Sequence, residues 1–522
     1  MMKCLVTGAA GFIGNALVKR LIEEGYDVIG LIHKTKPKDY EKKAKYVEGD
    51  ITDIESVKPF FKDVDFVFHC AALVKDYGPK KIFYKINLEG TKNLVKLSEE
   101  FGVKRFIFLS HVRYESEKSI SYYSKTKALA EQNLKEKYKQ NGFPVVIIRP
   151  GNVYGPGATT WVLRPYKSIQ KNRITLIDHG NGIFHHTYID NLLDAMIAAL
   201  KTPKALGETI DVTDEDNSVT YGEYLNTLAK IAGKPPIKRD LSINTAFFVS
   251  NLMMFLNKVF RIEPWVTPMT VRVLTNNHKF TIEKAKQILN YNPKVDYSTG
   301  MKRVEDWLKK ENNKTMSPMV SFLTEKISVK FNFHKLKKFA DLGFIIIEKI
   351  LIKFKKLHPL YFDFYDEMVE NEIKLANISK NDKILHIGGG SIPATSILLT
   401  NKIGAQVTII DKNLRSVKQA TSCISEYGVT DRIQIKHAEA KKFPVDKFDV
   451  IIVSQGIRPY RDLLKHVSQS MKADARVIFR TSSSPSGEIT PNDLFLKDIF
   501  KIEKIAAQKQ NGLLLSILLL KK

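Results

Sequence analysis

The sequence predicts an α/β protein with two separate doubly wound units, one in each half of the chain. Runs of β-branched and aromatic residues alternate with amphipathic helical segments over residues 1–150, and the alternation restarts at Lys383. This pattern is typical of parallel sheets that are covered by helices on both faces. A chain of 522 residues is also too long for one ordinary hydrophobic core, which favours more than one domain.

Each half contains several segments with the composition of buried strands. In the N-terminal half these are KCLVTG, YDVIGLI, KYVEGD, DFVFHCAA, RFIFLS and PVVIIRP. In the C-terminal half they are KILHIGGG, AQVTIID, RIQIKHAEA, FDVIIVS, ARVIFRT and GLLLSILLLKK. Residues 151–312 are richer in loops and end in the helical segment TGMKRVEDWLKKENN.

A segment without clear periodicity separates the two halves. Residues 311–319 (ENNKTMSPM) are polar and contain a proline, which predicts a linker. Residues 335–356 form a basic stretch with apolar residues at near-helical spacing, which either packs on the second domain or makes a peripheral contact with anionic lipid. We therefore expect domains at 1–312 and 360–522, with the linker and the basic helix at 313–359.

Composition narrows the functional classes. The chain has 82 Lys and Arg against 56 Asp and Glu, a net charge of +26 that is spread along most of its length. This spread indicates solvated lysine faces, and no recognition-helix, RNP-like or zinc-finger pattern points to a nucleic-acid partner.

Cys4, Cys70 and Cys423 form no CxxC pair, which argues against a disulfide framework and a thiolate metal site and favours a reducing cytoplasm. The N-terminus runs directly into a strand, so no signal peptide is expected.

The first chemical motif is TGAAGFIG at residues 7–14, which follows the first strand and opens a helix. Its three glycines permit a tight turn and a close backbone approach to a pyrophosphate, and the helix N-terminus supplies free N–H donors. In this context the motif predicts a dinucleotide-binding fold.

The second strand ends at Ile32 and is followed by His33, Lys34 and Lys36. Because no carboxylate is available there for a ribose 2′-hydroxyl, we favour NADP over NAD.

The second motif is Tyr123-Ser124-Lys125-Thr126-Lys127 at the start of a helix. Residues four apart lie on one face of a helix, so the ammonium of Lys127 is expected to lower the pKa of the Tyr123 hydroxyl. A phenol placed in this way can exchange a proton with a substrate alcohol or carbonyl. The spacing alone is weak, and its value lies in the combination with the glycine turn.

Residues 1 to about 312 resemble the extended short-chain dehydrogenase/reductases, the epimerase/dehydratase group. The resemblance rests on TGAAGFIG, GDITD (49–53), HCAA (69–72), NLEGT (87–91), YYSKTK (122–127), RPGNVYGPG (149–157) and YIDNLLDA (188–195). It implies a Rossmann NAD(P)-binding fold with a small substrate subdomain, in which Tyr123 is the catalytic acid/base and Lys127 holds the nicotinamide ribose. The cofactor-binding residues expected here are Gly8, Gly11, Phe12, Ile13, Gly14, His33, Asp50, Ile51, Ala71, Ala72 and Lys127. The resemblance places Asp50 and Ile51 at the adenine and Ala71 and Ala72 at the nicotinamide side.

The chain departs from this family after the strand RFIFLS. The family places a Ser or Thr there to polarise the reacting carbonyl, and here either Ser110 or His111 takes that place. The last part of the domain is more similar to 3β-hydroxysteroid dehydrogenases and related ketoreductases. The resemblance therefore favours hydride transfer at a carbonyl or alcohol over sugar epimerisation. A regulatory protein that senses NADP(H) without turnover is an alternative.

The C-terminal half has its own glycine turn. Gly388, Gly389 and Gly390 end a strand, Asp411 ends the next strand, and Glu439 follows the third. A glycine turn with acids after the second and third strands suits S-adenosylmethionine, and it also suits a dinucleotide.

Residues 360–520 resemble nicotianamine synthases and their archaeal and bacterial relatives. The resemblance rests on ILHIGGGSIPATSILLT, VTIIDKN, KFDVIIVS and ARVIFRTSS. It implies a methyltransferase-like fold that transfers the aminocarboxypropyl group of S-adenosylmethionine to an amine. The nucleotide-binding residues that it implies are Gly388, Gly389, Gly390 and Asp411, with Glu439 near the adenine.

The amine that attacks the sulfonium carbon must lose a proton, so the site needs a base. The helical segment YFDFYDEMVENE offers Glu370 for this role, and Asp366 and Glu370 are expected to share a face, as are Tyr361 and Tyr365. Arg480 either meets a carboxylate or is a surface residue. A domain that moves only a methyl group would not need these acids.

The two halves predict a bifunctional enzyme that acts on small molecules. Its cofactors would be NADP or NAD and S-adenosyl-L-methionine, and its second half would make a nicotianamine-like metallophore. We expect a cytoplasmic homodimer without a resident metal. The alternative is an NAD-dependent sugar-nucleotide epimerase/dehydratase with a methyltransferase domain.

Overall fold

The structure is a computed structural model that describes residues 1–34, 41–112, 121–216, 218–260, 264, 266–314, 358–455, 457, 459–482, 493–507 and 514–522. The chain divides into two compact units, which comprise Met1–Leu252 with Trp265–Thr324 and Met253–Pro264 with Glu325–Lys522. Each unit has its own α/β sheet, so the predicted fold class is confirmed. The basic stretch predicted at 335–356 lies outside the described residues.

Strands and helices alternate through the first part of the chain. The strands are β1 (Lys3–Thr7), β2 (Asp27–Ile32), β3 (Lys45–Glu48), β4 (Phe66–His69), β5 (Arg105–Leu109), β6 (Val145–Pro150), β7 (Asn152–Tyr154), β8 (Leu176–Ile177), β9 (His186–Tyr188), β10 (Thr209–Val212) and β11 (Asp240–Leu241). The helices are α1 (Phe12–Glu23), α2 (Ile54–Val57), α3 (Lys80–Phe83), α4 (Gly90–Glu100), α5 (Tyr122–Asn141), α6 (Arg164–Gln170), α7 (Ile189–Lys201), α8 (Tyr221–Ile231), α9 (Ile243–Phe260), α10 (Pro268–Leu274), α11 (Glu283–Leu289) and α12 (Tyr297–Lys314). Since α12 extends through Lys314, the first residues of the predicted linker are helical.

Seven of the described strands form one parallel sheet in the first unit, in the order β10-β6-β5-β4-β1-β2-β3. Strand β1 pairs with β2 on one side and with β4 on the other, each in parallel. The direction of strand progression therefore reverses at β1 and β4. Open α/β sheets bind ligands in the crevice outside the carboxyl ends of the strands at such a reversal.

The apolar strand residues explain why this sheet is covered on both faces. On β1, Val6 belongs to one buried core cluster and its neighbour Leu5 belongs to the other. On β6, Ile148 and Ile147 divide in the same way. Because successive strand residues point to opposite faces, a continuous apolar run needs a core on each side.

The second unit has a mixed sheet. Its strands are β12 (Lys383–Ile387), β13 (Gln406–Asp411), β14 (Ile433–His437), β15 (Val450–Val453), β16 (Arg476–Ser482), β17 (Phe500–Ala507) and β18 (Leu514–Lys521). Its helices are α13 (His358–Leu375), α14 (Ala394–Ile403), α15 (Leu414–Glu426), α16 (Tyr460–Ser470) and α17 (Leu494–Ile499). The described strands follow the order β14-β13-β12-β15-β16-β18-β17, with β18 antiparallel to both neighbours. The order reverses between β12 and β15, where the second glycine turn lies. None of the described helices is both long and apolar enough to cross a bilayer.

Candidate functional sites

The first glycine motif forms a turn between β1 and α1 at the carboxyl edge of the sheet. Gly8 has a φ of +71°, and a Cβ at this position would lie 2.9 Å from the backbone of Ala71. A Cβ on Gly14 would lie 2.2 Å from the carbonyl oxygen of Gly8. Helix α1 begins after Gly11 without a side chain that caps its first N–H groups. This uncapped end and the close backbone packing around the turn fit the pyrophosphate of a dinucleotide.

Beside this turn, the end of β4 is held by a buried hydrogen-bond chain. The hydroxyl of Thr7 lies 2.8 Å from Nδ1 of His69, and Nε2 of His69 lies 2.9 Å from the hydroxyl of Thr91. Burial, aided by the charge of Lys127, lowers the pKa of His69 well below its usual value, so the ring is neutral. The N–H of Ala71 donates to the Thr7 hydroxyl at 3.2 Å. These hydrogen bonds therefore fix the backbone at Ala71, on the predicted nicotinamide side. The motifs HCAA and NLEGT do not by themselves reveal this role of His69 and Thr91.

The predicted adenosine end lies at the ends of β2 and β3. Oδ1 of Asp50 accepts a hydrogen bond of 2.8 Å from the N–H of Thr52. Burial acts to raise the pKa of Asp50, but this hydrogen bond and the positive charge of His33 outweigh it and lower the pKa. Ile51 is buried against Gly90, and His33 is exposed. Asp50 and His33 are thus electrostatic neighbours, while the choice of NADP over NAD stays a prediction.

One face of α5 lies along the end of β5. Nζ of Lys127 donates to the carbonyl oxygen of Leu109 at 2.5 Å and lies 3.9 Å from the centre of the Phe108 ring. Burial lowers the pKa of Lys127 to about 7, although the charge of Glu131 opposes the change. Tyr123 lies one turn earlier on this helix.

The predicted lowering of the pKa of Tyr123 by Lys127 is not found. Desolvation raises the pKa of the Tyr123 hydroxyl above its usual value, and the negative charge of Asp76 adds to the rise. The ammonium of Lys127 is directed to the carbonyl of Leu109 instead. The phenol is therefore protonated at neutral pH, which suits the acid in a carbonyl reduction.

Ser110 and His111 have different partners. The hydroxyl of Ser110 donates to Oε1 of Glu131 at 2.5 Å, and Glu131 forms an ion pair of 2.5 Å with Arg149. A hydroxyl has only one proton to donate, so the geometry does not support the prediction that Ser110 polarises a substrate carbonyl. The ring of His111 lies 5.1 Å from the ring of Tyr123, centroid to centroid, at an angle of 37°.

The second glycine turn follows β12. The N–H of Gly388 donates to the carbonyl of Ile410 at 2.9 Å, and the N–H of Gly390 donates to Oδ2 of Asp411 at 3.2 Å. Oδ1 of Asp411 accepts from the N–H of Asn413 at 2.9 Å. A carboxylate has about four lone-pair sites, so Asp411 retains capacity for ribose hydroxyls. This acceptor beside the glycine turn fits the ribose of an adenosine moiety.

Glu439 and Gly389 lie on either side of Asp411. The N–H of Ala438 donates to the backbone carbonyl of Asp411 at 3.1 Å, which brings the exposed Glu439 to the same sheet edge. A Cβ on Gly389 would lie 2.3 Å from a side-chain methyl carbon of Ile409. The structure thus brings together the second-site residues that the resemblance implies for the nucleotide.

His386, on β12 before the turn, is a supporting residue that the motif does not reveal. Its Nδ1 lies 2.9 Å from the hydroxyl of Ser396 on α14, and its Nε2 lies 2.8 Å from the hydroxyl of Ser454 after β15. Burial, with the charge of Arg480, lowers the pKa of His386 to about 3, so the ring is neutral. It joins the three elements that surround the glycine turn.

The acids of α13 have two different environments. Lys402 on α14 binds Asp366 at 2.7 Å and Glu370 at 3.0 Å, so these two acids do share a face. The hydroxyl of Tyr361 donates to that of Tyr365 at 3.3 Å, as expected for the second pair. Glu370, the predicted base, is therefore ion-paired with Lys402 of α14, and its role as a base stays a prediction.

Arg480 is not a surface residue. Its guanidinium binds both carboxylate oxygens of Glu372, at 2.8 and 2.7 Å, and both residues are buried. Arg480 also donates to the hydroxyl of Thr395 at 3.0 Å, and Ser516 donates to Glu372 at 2.6 Å. The carboxylate that Arg480 meets is thus supplied by the chain itself.

Comparisons with known proteins agree with this division of the chain. Residues 4–213 match the NAD dependent epimerase/dehydratase family, and residues 348–489 match the ubiE/COQ5 methyltransferase family. The chain is 27% identical over 326 residues to sterol-4-alpha-carboxylate 3-dehydrogenase, decarboxylating, of Mus musculus, which covers 58% of this chain and 89% of that protein. It is 27% identical over 330 residues to 2-alkyl-3-oxoalkanoate reductase of Stenotrophomonas maltophilia, with 58% and 98% covered.

A solved structure shows the same fold for the first unit. The epimerase Mth375 of Methanothermobacter thermautotrophicus gives a TM-score of 0.50 at 20% identity, over 60% of this chain and 94% of that chain. The matches to both families confirm the two predicted cofactor classes, a nicotinamide dinucleotide and S-adenosylmethionine. In the C-terminal half they support a methyltransferase family without singling out nicotianamine synthases. The chain therefore joins an N-terminal domain that matches the NAD dependent epimerase/dehydratase family and is similar to 3β-hydroxysteroid dehydrogenases to a C-terminal domain that matches the ubiE/COQ5 methyltransferase family.

Proposed function

We propose that the chain is a bifunctional enzyme with an oxidoreductase site in its first half and an aminocarboxypropyl transferase site in its second half. The observation that most supports the first activity is the arrangement of Tyr123 and Lys127 on one face of α5, at the end of β5. The second activity is supported by the glycine turn after β12, because the neighbouring Asp411 carboxylate retains acceptor capacity for the ribose of an adenosine.

The residues of the first site can perform proton transfer at a secondary alcohol or carbonyl. A bound nicotinamide would supply or accept the hydride. Tyr123 gives its proton to the carbonyl oxygen during reduction and takes it back during oxidation. Lys127 holds the end of β5 in place through Leu109 and would contact the nicotinamide ribose.

The substrate class that we propose is a 3-hydroxy or 3-oxo acid with an apolar body. The names of two relatives describe substrates of this kind, a sterol 4-carboxylate oxidised at position 3 and a 2-alkyl-3-oxoalkanoate. In both, the carboxylate is attached to the carbon next to the hydroxyl or oxo carbon. Apolar side chains adjoin this part of the chain, because Val112, which follows His111, packs with Phe280 and Val273 in a small buried cluster.

The first activity is tested with the full chain, NADPH or NADH, and a panel of 3-oxo acids and simple ketones. We expect oxidation of the dinucleotide by wild type and a loss of about 10²–10⁴-fold in kcat for Tyr123→Phe. Tyr122→Phe is the matched control, because Tyr122 is the adjacent residue and is 41% exposed. Equal rates for Tyr123→Phe and wild type would exclude the oxidoreductase assignment.

In the second site, an acceptor amine would attack the carbon of the aminocarboxypropyl group that is bonded to sulfur. A C–N bond forms, the C–S bond breaks, methylthioadenosine leaves as a neutral thioether, and the amine proton passes to a base. Glu370 is our candidate for this base, and its carboxylate lies 3.0 Å from Nζ of Lys402.

Methyl transfer is the second candidate for this site, because the match of residues 348–489 is to a methyltransferase family. Mass spectrometry of the full chain with S-adenosylmethionine and an amino-acid panel separates the two. Methylthioadenosine with a mass gain on the acceptor supports our proposal, and S-adenosylhomocysteine would replace it with methyl transfer. Asp411→Asn should reduce either product.

A further inference from the structure

We propose that His111 is a catalytic residue that donates a hydrogen bond to the substrate oxygen beside Tyr123. The inference rests on the oxidoreductase function proposed above and adds a second donor to that site. It also gives a role to the position at which the chain departs from the Ser or Thr of its family.

The register between the end of β5 and helix α5 separates the roles of three successive residues. The carbonyl of Leu109 accepts from Lys127, the hydroxyl of Ser110 donates to Glu131, and the ring of His111 contacts the ring of Tyr123. Neighbouring residues of an extended segment point to opposite sides. The side chain of Ser110 is therefore directed away from the point at which His111 meets Tyr123.

Ser110 is fixed in a buried polar cluster. Glu131 is 1% exposed, and its Oε1 accepts from both the Ser110 hydroxyl and Nε of Arg149, the latter at 3.0 Å. A buried hydroxyl that abandons such a partner leaves it unsatisfied, at a cost of about 1–3 kcal/mol. Turning Ser110 toward a substrate would therefore weaken the cluster that anchors α5 to β6.

His111 has both the position and the chemistry for the vacant role. Its ring is in contact with the Tyr123 ring, so an oxygen that receives the Tyr123 proton can lie near an imidazole nitrogen as well. An imidazole carries an N–H donor in its neutral and in its protonated form. A donor aimed at an oxygen that gains charge during the reaction stabilises the transition state more than the bound ketone.

The step needs no reactant besides a bound reduced nicotinamide, which would supply the hydride and become oxidised. The hydride adds to the carbonyl carbon, the π electrons of the C=O bond move to oxygen, and the oxygen takes the phenolic proton of Tyr123. The Tyr123 phenolate then takes a proton from solvent. His111 keeps its own proton throughout and contributes only the hydrogen bond.

The test compares three variants of the full chain with wild type. His111→Phe keeps an aromatic ring against Tyr123 and removes the donor, whereas His111→Gln keeps an N–H donor. His179→Gln is the matched control, because His179 is in the same unit and its side chain is 79% exposed. Turnover of the 3-oxo acid panel gives kcat and KM, fluorescence titration gives the Kd for NADPH, and thermal melting checks the fold.

We expect a fall of about 10²–10³-fold in kcat for His111→Phe, with an unchanged Kd for NADPH, as for the loss of one oxyanion donor. His111→Gln should recover a large part of kcat, and His179→Gln should match wild type. If His111→Phe does not fold, His111→Leu takes its place.

An unchanged kcat in His111→Phe, while Tyr123→Phe is inactive, overturns the role of His111 and leaves the oxidoreductase function intact. Equal losses in His111→Phe and His111→Gln also overturn it, because the donor would then not matter. A wild type without turnover on the whole panel overturns both the proposed function and this inference.

Discussion

The buried amine of Lys127 couples protonation to stability in the first unit. Burial lowers the pKa of Lys127 from 10.5 to about 7 in the folded chain. Because the folded pKa is the lower one, the unfolded state binds more protons between pH 7 and 10.5. Stability therefore rises with pH through this window, and the full cost of burying the charge applies below pH 7.

Lys127→Met should remove this pH dependence. We expect the unfolding free energy of wild type, measured relative to that of the variant, to increase by up to about 1.4 kcal/mol per pH unit above pH 7. Urea denaturation at pH 7, 8 and 9 measures the difference. Lys125→Met, on the exposed side of the same helix, should keep the wild-type slope. Parallel pH profiles for wild type and Lys127→Met would contradict the prediction.

His33 tests the predicted preference for NADP. It is exposed directly after β2, where a carboxylate would accept from a ribose 2′-hydroxyl and repel a 2′-phosphate. His33→Asp should therefore lower the ratio of kcat/KM for NADPH to that for NADH by about tenfold or more, which corresponds to about 1.4 kcal/mol. His179→Asp introduces the same charge elsewhere in the unit and should leave the ratio unchanged. A ratio that His33→Asp does not alter would show that β2 does not set the preference.

At the scale of single residues, motif spacing predicts position better than environment. The spacing of Tyr123 and Lys127 correctly predicts a shared helical face, but it cannot show that Lys127 is 2% exposed and bound to Leu109. Ser110 is a comparable case, because its partner Glu131 is recognisable only after α5 has docked on β5. Desolvation and long-range pairing therefore decide the pKa values, and neither can be derived from local sequence.

At the scale of elements, helix α13 shows why an acidic segment is hard to interpret from sequence. Glu370 and Glu372 are two residues apart, about 200° around the helix, so they lie on different faces. Glu370 is 40% exposed and binds Lys402, whereas Glu372 is 1% exposed and binds Arg480 on β16. The partner of Glu372 is 108 residues away in sequence, so only the folded sheet identifies it.

Replacing these two acids should have very different effects on stability. Glu372→Gln leaves the buried charge of Arg480 without its counter-charge, and we expect a loss of about 3–5 kcal/mol in unfolding free energy. Glu370→Gln is the matched control and should cost less than about 1 kcal/mol, because it removes a partly exposed ion pair. Denaturant titration of both variants measures the difference. Similar costs for the two would mean that Glu372 and Arg480 do not form a buried pair in solution.

The edge of the second sheet marks the limit of prediction from strand composition. GLLLSILLLKK predicts a buried strand, and β18 spans Leu514–Lys521. Its antiparallel direction is not encoded in an apolar run, since such a run suits either direction. Strand β17 (FKIEKIAA) was not predicted, because lysines interrupt its apolar residues, as is common in edge strands.

At the scale of the whole molecule, the repeated alternation of strands and helices was sufficient to predict two α/β units. Buried parallel strands are nearly continuous in apolar residues, and each unit has a glycine turn at the point where its strand order reverses. The boundary was less predictable, because α12 continues through Lys314 with polar residues that also suit a linker. A run of polar residues carries no apolar periodicity that would mark it as helical in the sequence.

If each unit holds its own nucleotide site, the two sites can be disabled separately in the full chain. Gly14→Ala places a Cβ 2.2 Å from the carbonyl oxygen of Gly8. The backbone cannot relieve this clash without opening the turn. We expect it to weaken NADPH binding by about tenfold or more, equivalent to about 1.4 kcal/mol, and to leave S-adenosylmethionine binding unchanged. Asp411→Asn should do the reverse, because it removes the acceptor charge beside Gly390.

Isothermal titration of each variant with both ligands measures the four affinities. Each variant is the control for the other, since both remain full-length and differ from wild type at one position. Gly14 and Asp411 belong to different units, so an effect of either change on both ligands would require a shared site. That outcome would contradict the assignment of NADPH to the turn after β1 and of S-adenosylmethionine to the turn after β12.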